Sequence, residues 1–449
     1  MDSLYNSSSN KIPYDDTPIY RVQKRQNKQS KGGNKVKIFA VFFVIVFLLN
    51  IALCITCYTY LKNGKIRVVN IYNDTYSSQS VTYMVESMRT AKAHSVCVAA
   101  GAKENLLSPN QQISSNNDFY NKTKSHGSGF LYKIVGDTAY FVTCFHVINY
   151  AENESIAQNT RIWVLPASMM IPIEVELVSY SARDDVAVLK FTHNDILETL
   201  EGCTPVTAYD STFVSEYEDV FTIGNPLNTG FNGTSGKLTA YRDEYYDASA
   251  GLEFSWMKTD AAINPGNSGG ALYNSKGEFV GMVNAYIPKT SSGDPVNNMA
   301  YAIPGTLVCS IADNIIENHL YMAKPTAVNL GLKFGVDEVM GIERHKSTYK
   351  DKKGEFKDLD QQYVIVESFD NNSIARDQGL KVNDRIIKME IDILGQDERI
   401  EVPILNRYTF YEYAYAIKKG SFIKLTVARQ NAQNETIYED VTVRATKYS

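Results

Sequence analysis

Asn264-Pro265-Gly266-Asn267-Ser268-Gly269-Gly270-Ala271-Leu272 is the stretch on which the reading of this chain turns. A serine hydroxyl is a poor nucleophile unless a base takes its proton during attack, and the oxyanion that follows needs donors already aimed at it. Glycines around Ser268 suit the second need, because a tight turn without Cβ clashes can point the backbone N–H groups of Gly266 and Ser268 at one place. The same residues also make ordinary turns ahead of a strand such as ALYN, so this stretch alone leaves both readings open.

A nucleophile of this kind needs an upstream base. Of the six histidines, His146 is the one at the end of an apolar strand, in AYFVTCFHVIN, while His94, His126, His193, His319 and His345 lie in helical or polar contexts. Without Ser268, a buried structural histidine would be the better reading of His146. The third member should hold the imidazole in one tautomer and stabilise its charged form. Asp185, in RDDVAVLKF, immediately precedes a strand that would anchor it, whereas Asp184 is expected to be its solvated neighbour. The order His, Asp, Ser is that of the chymotrypsin class and differs from the orders of subtilisin and the α/β-hydrolases.

Around these residues, 127–286 read as all-β: short apolar runs, several alternating with period two, separated by turn residues. Ile171, Ile173, Val175 and Leu177 alternate with Pro172, Glu174 and Glu176, as a half-buried strand should. A helix over 80–93 precedes the first strand, SVCVAA, and TLVCSIADNIIENHL reads as an amphipathic helix closing the domain. Residues 329–449 alternate strands with one helix around 410–418.

Toward the N-terminus, IFAVFFVIVFLLNIALCITCYTYL (residues 38–61) has no charged residue and is long enough to cross an apolar core of about 30 Å as a helix. A cleavable secretory signal would have a shorter apolar region and a small-x-small cleavage site. Arg21, Lys24, Arg25, Lys28, Lys31, Lys35 and Lys37 precede the span and only Lys62, Lys65 and Arg67 closely follow it, so the N-terminus is expected inside and the rest outside the cytoplasm. The expected organisation is a disordered cytoplasmic tail (1–37), a transmembrane helix (38–61), a stalk (62–78), a catalytic domain (79–322) and a smaller domain (329–449). The net charge of -5 hides eight basic against three acidic residues in the tail, leaving a body near -10 that argues against nucleic acid as a partner. Cys54 and Cys57 fall in the apolar run, leaving Cys97, Cys144, Cys203 and Cys309 for at most two bridges. Histidines and cysteines do not cluster at zinc spacing, and no metal, nucleotide or other cofactor is expected.

From about Met84 onward the chain resembles the HtrA (DegP-like) trypsin-fold proteases of the membrane-anchored bacterial type. The likeness is carried by GSGF at Gly127, VTCFHVI around His146, DDVAVLKF around Asp185, IGNP at Gly224, TSGKLTA at Thr234, TDAAINPGNSGGAL ending at Leu272, GEFVGMVNAY at Gly277 and AYAIP at Ala300. The resemblance implies a mainly β fold: a trypsin-like double β-barrel with His146 and Asp185 from the first barrel and Ser268 from the second. It also implies an oxyanion-hole turn of Gly266, Asn267 and Ser268. The residue six before the nucleophile, Ala262, would lie at the base of an apolar primary pocket for small or medium aliphatic residues, with Asn284 and Ala285 on its wall. Cys144 stands where family members often have Asn, and Pro265 where a variable, frequently basic residue sits.

Residues 329–449 resemble the PDZ domains that follow HtrA protease domains. Leu330-Gly331-Leu332 matches the strand and loop that receive a peptide carboxylate, and TFYEYAYAIKKGSFIKLTVAR matches the groove helix with its following strand. Such a fold takes an extended peptide onto a sheet edge; the alternative is a small α/β domain that packs on the protease and tethers or regulates it. The expected activity is endoproteolysis of unfolded or mislocalised exported proteins through a Ser-His-Asp acyl-enzyme, in a homo-trimer or larger assembly that binds peptide C-termini. A proteolytically inactive scaffold or holdase, and a site-specific signalling protease, are the alternatives.

Overall fold

The structure, a computed structural model, describes residues 75–102, 119, 123–149, 160–169, 172–226, 230–243, 256–286, 299–336, 345–350, 356–433 and 435–449. The expected tail, the apolar run 38–61 with Cys54 and Cys57, and the stalk up to residue 74 lie outside these residues. The last four residues assigned to the stalk instead open helix α1, Thr75–Lys92. Among the described residues no helix is long and apolar enough to cross a membrane.

Strands β1 (Ser95–Ala102), β2 (Ser125–Val135), β3 (Thr138–Thr143), β4 (Thr160–Pro166), β5 (Ile173–Ser181) and β6 (Val186–Thr192) close into one antiparallel barrel in the order β1-β2-β3-β6-β5-β4. Short helices α2 (Phe145–Ile148) and α3 (Ile196–Thr199) follow β3 and β6. A second barrel closes in the order β10-β11-β12-β9-β8-β7, from β7 (Asp219–Gly224), β8 (Asn232–Asp243), β9 (Trp256–Thr259), β10 (Ala271–Asn274), β11 (Phe279–Tyr286) and β12 (Ala300–Pro304). Closure leaves no unpaired sheet edge and lets the inward side chains form a filled core. Phe130, Leu131, Phe141, Val188 and Leu189 are fully buried in the first barrel, as are Leu238, Met257 and Leu272 in the second.

The alternation expected over β5 holds as far as Leu177, where the register with β6 shifts before Ser179. A bulge moves every later side chain to the opposite face. Val178 and Ser179 are consequently both buried, although the period-two pattern would have put one of them outside.

Helix α4, Gly305–Glu317, is less one-sided than its sequence suggests. Leu307, Val308, Ile311, Ala312 and Ile315 are fully buried, and so, nearly, are Ser310 and Asn314. The polar pair is covered because the C-terminal module packs there. Ser310 Oγ donates to the Glu412 carbonyl (2.7 Å), and Asn314 Nδ2 donates to the Tyr415 carbonyl (2.6 Å). On its other flank α4 meets β2, where Tyr132 Oη donates to Asp313 (3.0 Å) and Lys133 pairs with Glu317 (2.8 Å).

The C-terminal module is a sheet in the order β13-β16-β17-β19-β20, formed by β13 (Leu332–Val336), β16 (Val364–Phe369), β17 (Arg385–Ile391), β19 (Phe422–Gln430) and β20 (Thr436–Arg444). Strand β18 (Ile400–Pro403) also pairs with β17, and β14 (His345–Lys350) with β15 (Phe356–Gln361) makes a separate hairpin. Val364, Val366, Met389, Leu425, Val427 and Val443 fill the core. Helix α5 (Ile374–Asp377) is capped by Ser373, whose side chain accepts from Arg376 N. The helix expected over 410–418 shrinks to α6, Thr409–Tyr413. Tertiary contacts end it: Ile417 bridges to Ile393, Lys418 N donates to the Asp392 carbonyl, and Asn314 takes the Tyr415 carbonyl.

Candidate active site

Asp185 precedes β6 with φ 53°, a left-handed conformation that costs a non-glycine residue about 1 kcal/mol. The neighbouring chain holds it there. Oδ1 of Asp185 accepts from the backbone N–H of His146 (2.8 Å), and its carbonyl accepts from Phe145 N (3.2 Å). Oδ2 takes the imidazole Nδ1–H of His146 at 2.6 Å and the Asn284 amide at 2.5 Å. With Nδ1 committed, Nε2 carries the ring's lone pair. Burial lowers the His146 pKa, the charge and hydrogen bond of Asp185 raise it, and the balance lies above the ordinary histidine value. About half of the His146 side chain remains open to solvent.

Ser268 lies in the second of two successive turns that share Asn267. Asn267 N donates to the Asn264 carbonyl (3.0 Å) and Gly270 N to the Asn267 carbonyl (2.9 Å). Pro265 and then Gly266, with φ 99°, occupy the centre of the first turn, and Ser268 and then Gly269, with φ 84°, that of the second. Positive φ at the third position makes both turns type II and explains why glycine stands there. At Gly269 a side chain is excluded twice over, since a Cβ would lie 2.2 Å from the Ser128 carbonyl oxygen. Asn267's N–H is spent in its turn, while those of Gly266 and Ser268 have no acceptor among the described residues.

The first barrel grips this turn through Ser128 of the GSGF motif. Ser128 N donates to the Ser268 carbonyl (2.8 Å) and Ser128 Oγ to the Gly266 carbonyl (2.6 Å). On the opposite flank, the Ser268 hydroxyl donates to the Asn284 carbonyl at 2.9 Å rather than to His146. The structure therefore brings His146 and Asp185 into direct contact and sets Ser268 on Asn284, the residue whose side chain also holds Asp185.

Other expectations fare differently. Asp184 is not a solvated neighbour; it is fully buried and accepts hydroxyls from Ser181 and Tyr415, each at 2.6 Å. The Asn284 side chain does not face outward as a pocket wall, because its amide is turned to Asp185 and to Cys144 Sγ (3.6 Å). A buried asparagine in the apolar strand FVGMVNAY was the available signal for that role. Ala262 is exposed between the buried Ala261 and Ile263, and Ala285 lies in β11 paired with Tyr301. None of Cys97, Cys144, Cys203 and Cys309 forms a disulfide.

Cys144, His146 and Asp185 place one donor atom each within 4.8 Å of one another, a spacing that a metal ion could use. The chemistry of the set does not favour one. Burial, reinforced by the charge of Asp185, pushes the Cys144 thiol pKa well up, so the thiolate a metal would need is disfavoured. The histidine and carboxylate donors already point at each other.

In the C-terminal module Leu330 is buried, and its carbonyl accepts from Ala375 N and Ser373 Oγ (both 3.1 Å). Gly331, with φ 68°, donates its N–H to Asn329 Oδ1 (2.8 Å), so that donor is committed within the loop rather than offered to a peptide carboxylate. Leu332 opens β13, an edge strand whose Phe334 ring lies 5.8 Å from that of Phe410 in α6.

Residues 127–282 match the trypsin-like peptidase domain family. Over 352 residues the chain is 28% identical to the serine protease HtrA-like of Staphylococcus aureus strain MSSA476, covering 75% of this chain and 40% of that protein. The corresponding protein of strain MRSA252 is 29% identical over 287 residues, covering 61% and 33%. The chain thus spans about 40% of the length of the curated relatives it matches. Among solved structures, an HtrA-type protease AlgW with tripeptide is similar at 20% identity with a TM-score of 0.47, covering 81% of this chain and 96% of that one. The chain is thus similar over residues 127–282 to trypsin-like peptidase domains, and over three quarters of its length to HtrA-like serine proteases.

Proposed function

We propose that the chain is a serine endopeptidase in which Ser268 attacks the peptide carbonyl, His146 takes its proton and passes it to the leaving amine as the C–N bond breaks, water then releases the acyl-enzyme with His146 again as base, and Asp185 fixes the imidazole. The observation that carries this reading is the doubly bonded His146–Asp185 pair beside a turn whose Gly266 and Ser268 N–H groups are unspent. Those two donors are the oxyanion site of this reading, with Asn267 serving the turn between them. Attack requires the Ser268 hydroxyl to swing from the Asn284 carbonyl to His146 Nε2, so the described arrangement is a resting one. The swing is a side-chain rotation, which substrate seating between the barrels can favour.

The substrates of this reading are unfolded or mislocalised exported proteins, cut after small or medium aliphatic residues in a pocket floored by Ala262. The chain is anchored by residues 38–61 with its N-terminus cytoplasmic, and it acts as a trimer or larger assembly. The C-terminal module is PDZ-like and takes a peptide by extending the β13 edge. With Gly331 committed to Asn329, a free carboxylate contributes less to that binding than strand pairing does.

Digestion of unfolded casein by the full chain in detergent, compared with Ser268→Ala, tests the activity. Wild type should cut and S268A should not. Intact casein with both proteins, warmed or not, would leave a peptide-binding scaffold as the function.

A further inference from the structure

We propose that Tyr415 is a positioning residue for the Ser268 reaction: from the C-terminal module its hydroxyl reaches Asp184 and fixes the turn that presents Asp185 to His146. The inference rests on the serine-endopeptidase reading and adds to it a residue outside the peptidase domain.

Two neighbours of Asp185 touch the C-terminal module. Tyr415 Oη donates to Asp184 Oδ2 at 2.6 Å, and the Arg183 guanidinium lies 4.8 Å over the ring of Tyr411. Tyr415 is itself fixed at its other end, where Asn314 of α4 holds its carbonyl. Burial and then the charge of Asp184 push the phenol pKa up, so the hydroxyl remains a donor.

Asp184 depends on this contact. Its carboxyl is fully buried, Oδ1 has no partner among the described residues, and Oδ2 is served by Ser181 and Tyr415. Removing the Tyr415 hydroxyl leaves one hydroxyl on a buried carboxyl, and a buried polar group short of partners turns toward water. The next residue is Asp185, held in a left-handed conformation it would otherwise leave. A rotation of Asp184 therefore pulls Asp185 off His146. Asn284 and Cys144 face Asp185 on the barrel side, while behind the turn Ser181 and Tyr415 hold Asp184 and the Tyr411 ring meets Arg183.

The test follows fluorophosphonate labelling of the full chain over a pH series, with rate and final stoichiometry read separately. Tyr415→Phe should reach the wild-type stoichiometry at a rate lower by about tenfold, since a displacement of about 1 Å costs about 10²-fold and a fraction of it correspondingly less. Its acid limb should move to lower pH, because His146 loses part of the upward pull of Asp185. Asp184→Ala should behave likewise, Asp184→Asn should stay nearer wild type because it keeps an acceptor for the phenol, and Y415F/D184A should fall no further than either single variant. Tyr413→Phe, which removes an interdomain hydroxyl bonded to Asp210 and Thr212, should leave the limb in place. Should Y415F fail to fold, D184A against D184N carries the comparison. An unshifted limb at wild-type rate in Y415F, or an equal shift in Y413F, would overturn the role of Tyr415. Absence of labelling in wild type would instead count against the endopeptidase reading itself.

Discussion

Asp185 answers to three donors, and each sets a different property of the site: the His146 backbone fixes its position, the imidazole ties it to the His146 ring, and Asn284 orients the oxygen they share. In the proposed mechanism His146 must be neutral to act as base, so the rate should fall as pH drops through its pKa, which lies above the ordinary value. Asp185→Asn removes the charge that raises it. This variant should lose about 10⁴-fold in turnover, the order seen when such an imidazole is left in the wrong tautomer, and its residual activity should persist to lower pH. A pH profile of casein cleavage checks both. The placement of His146 and Asp185 at strand ends and of Ser268 in a glycine turn is legible in sequence. Between two adjacent aspartates sequence offers no such sign: Asp184 is the buried one because Tyr415, 231 residues away, supplies its donor. For Asn284, a polar residue in an apolar strand is the one sign in the sequence, and its acceptor, 99 residues upstream, is set by the fold.

At the scale of elements, the barrels follow from period-two strands and turn residues, and the departures arise where another element intervenes. The bulge at Val178 breaks a clean alternation, and α6 ends early because Ile417 and the Tyr415 carbonyl find partners in the rest of the fold. Helix α4 shows the largest effect of context, since its polar Ser310 and Asn314 are buried by a docking that no pattern within the helix announces. Ile311 sits fully buried in this helix. Ile311→Ala should destabilise the chain by about 2–5 kcal/mol through lost transfer energy and the cavity left behind. Urea unfolding followed by circular dichroism measures this, and a loss below about 1 kcal/mol would show that the site collapses around the smaller residue.

For the whole molecule, buried polar contacts between the two barrels and the C-terminal module stand beside apolar ones such as Phe213 on Leu405. Tyr413 donates to Asp210, Tyr415 to Asp184, and Asn314 and Ser310 to the backbone around α6. Pairs like these lose much more when one partner is removed than they contribute as a pair, so they specify one docking geometry more than they add stability. The proposed membrane arrangement is tested by placing single cysteines at Asn10 and Asp440 in intact cells. The second should react with an impermeant maleimide and the first only after permeabilisation, whereas equal reactivity would overturn the orientation. The central claim is that His146 activates Ser268 as a nucleophile. Mapping a fluorophosphonate adduct by mass spectrometry in wild type and in His146→Ala tests it most directly: the account predicts an adduct on Ser268 in wild type and its near absence in H146A, while no adduct in wild type, or equal labelling of both, would contradict it.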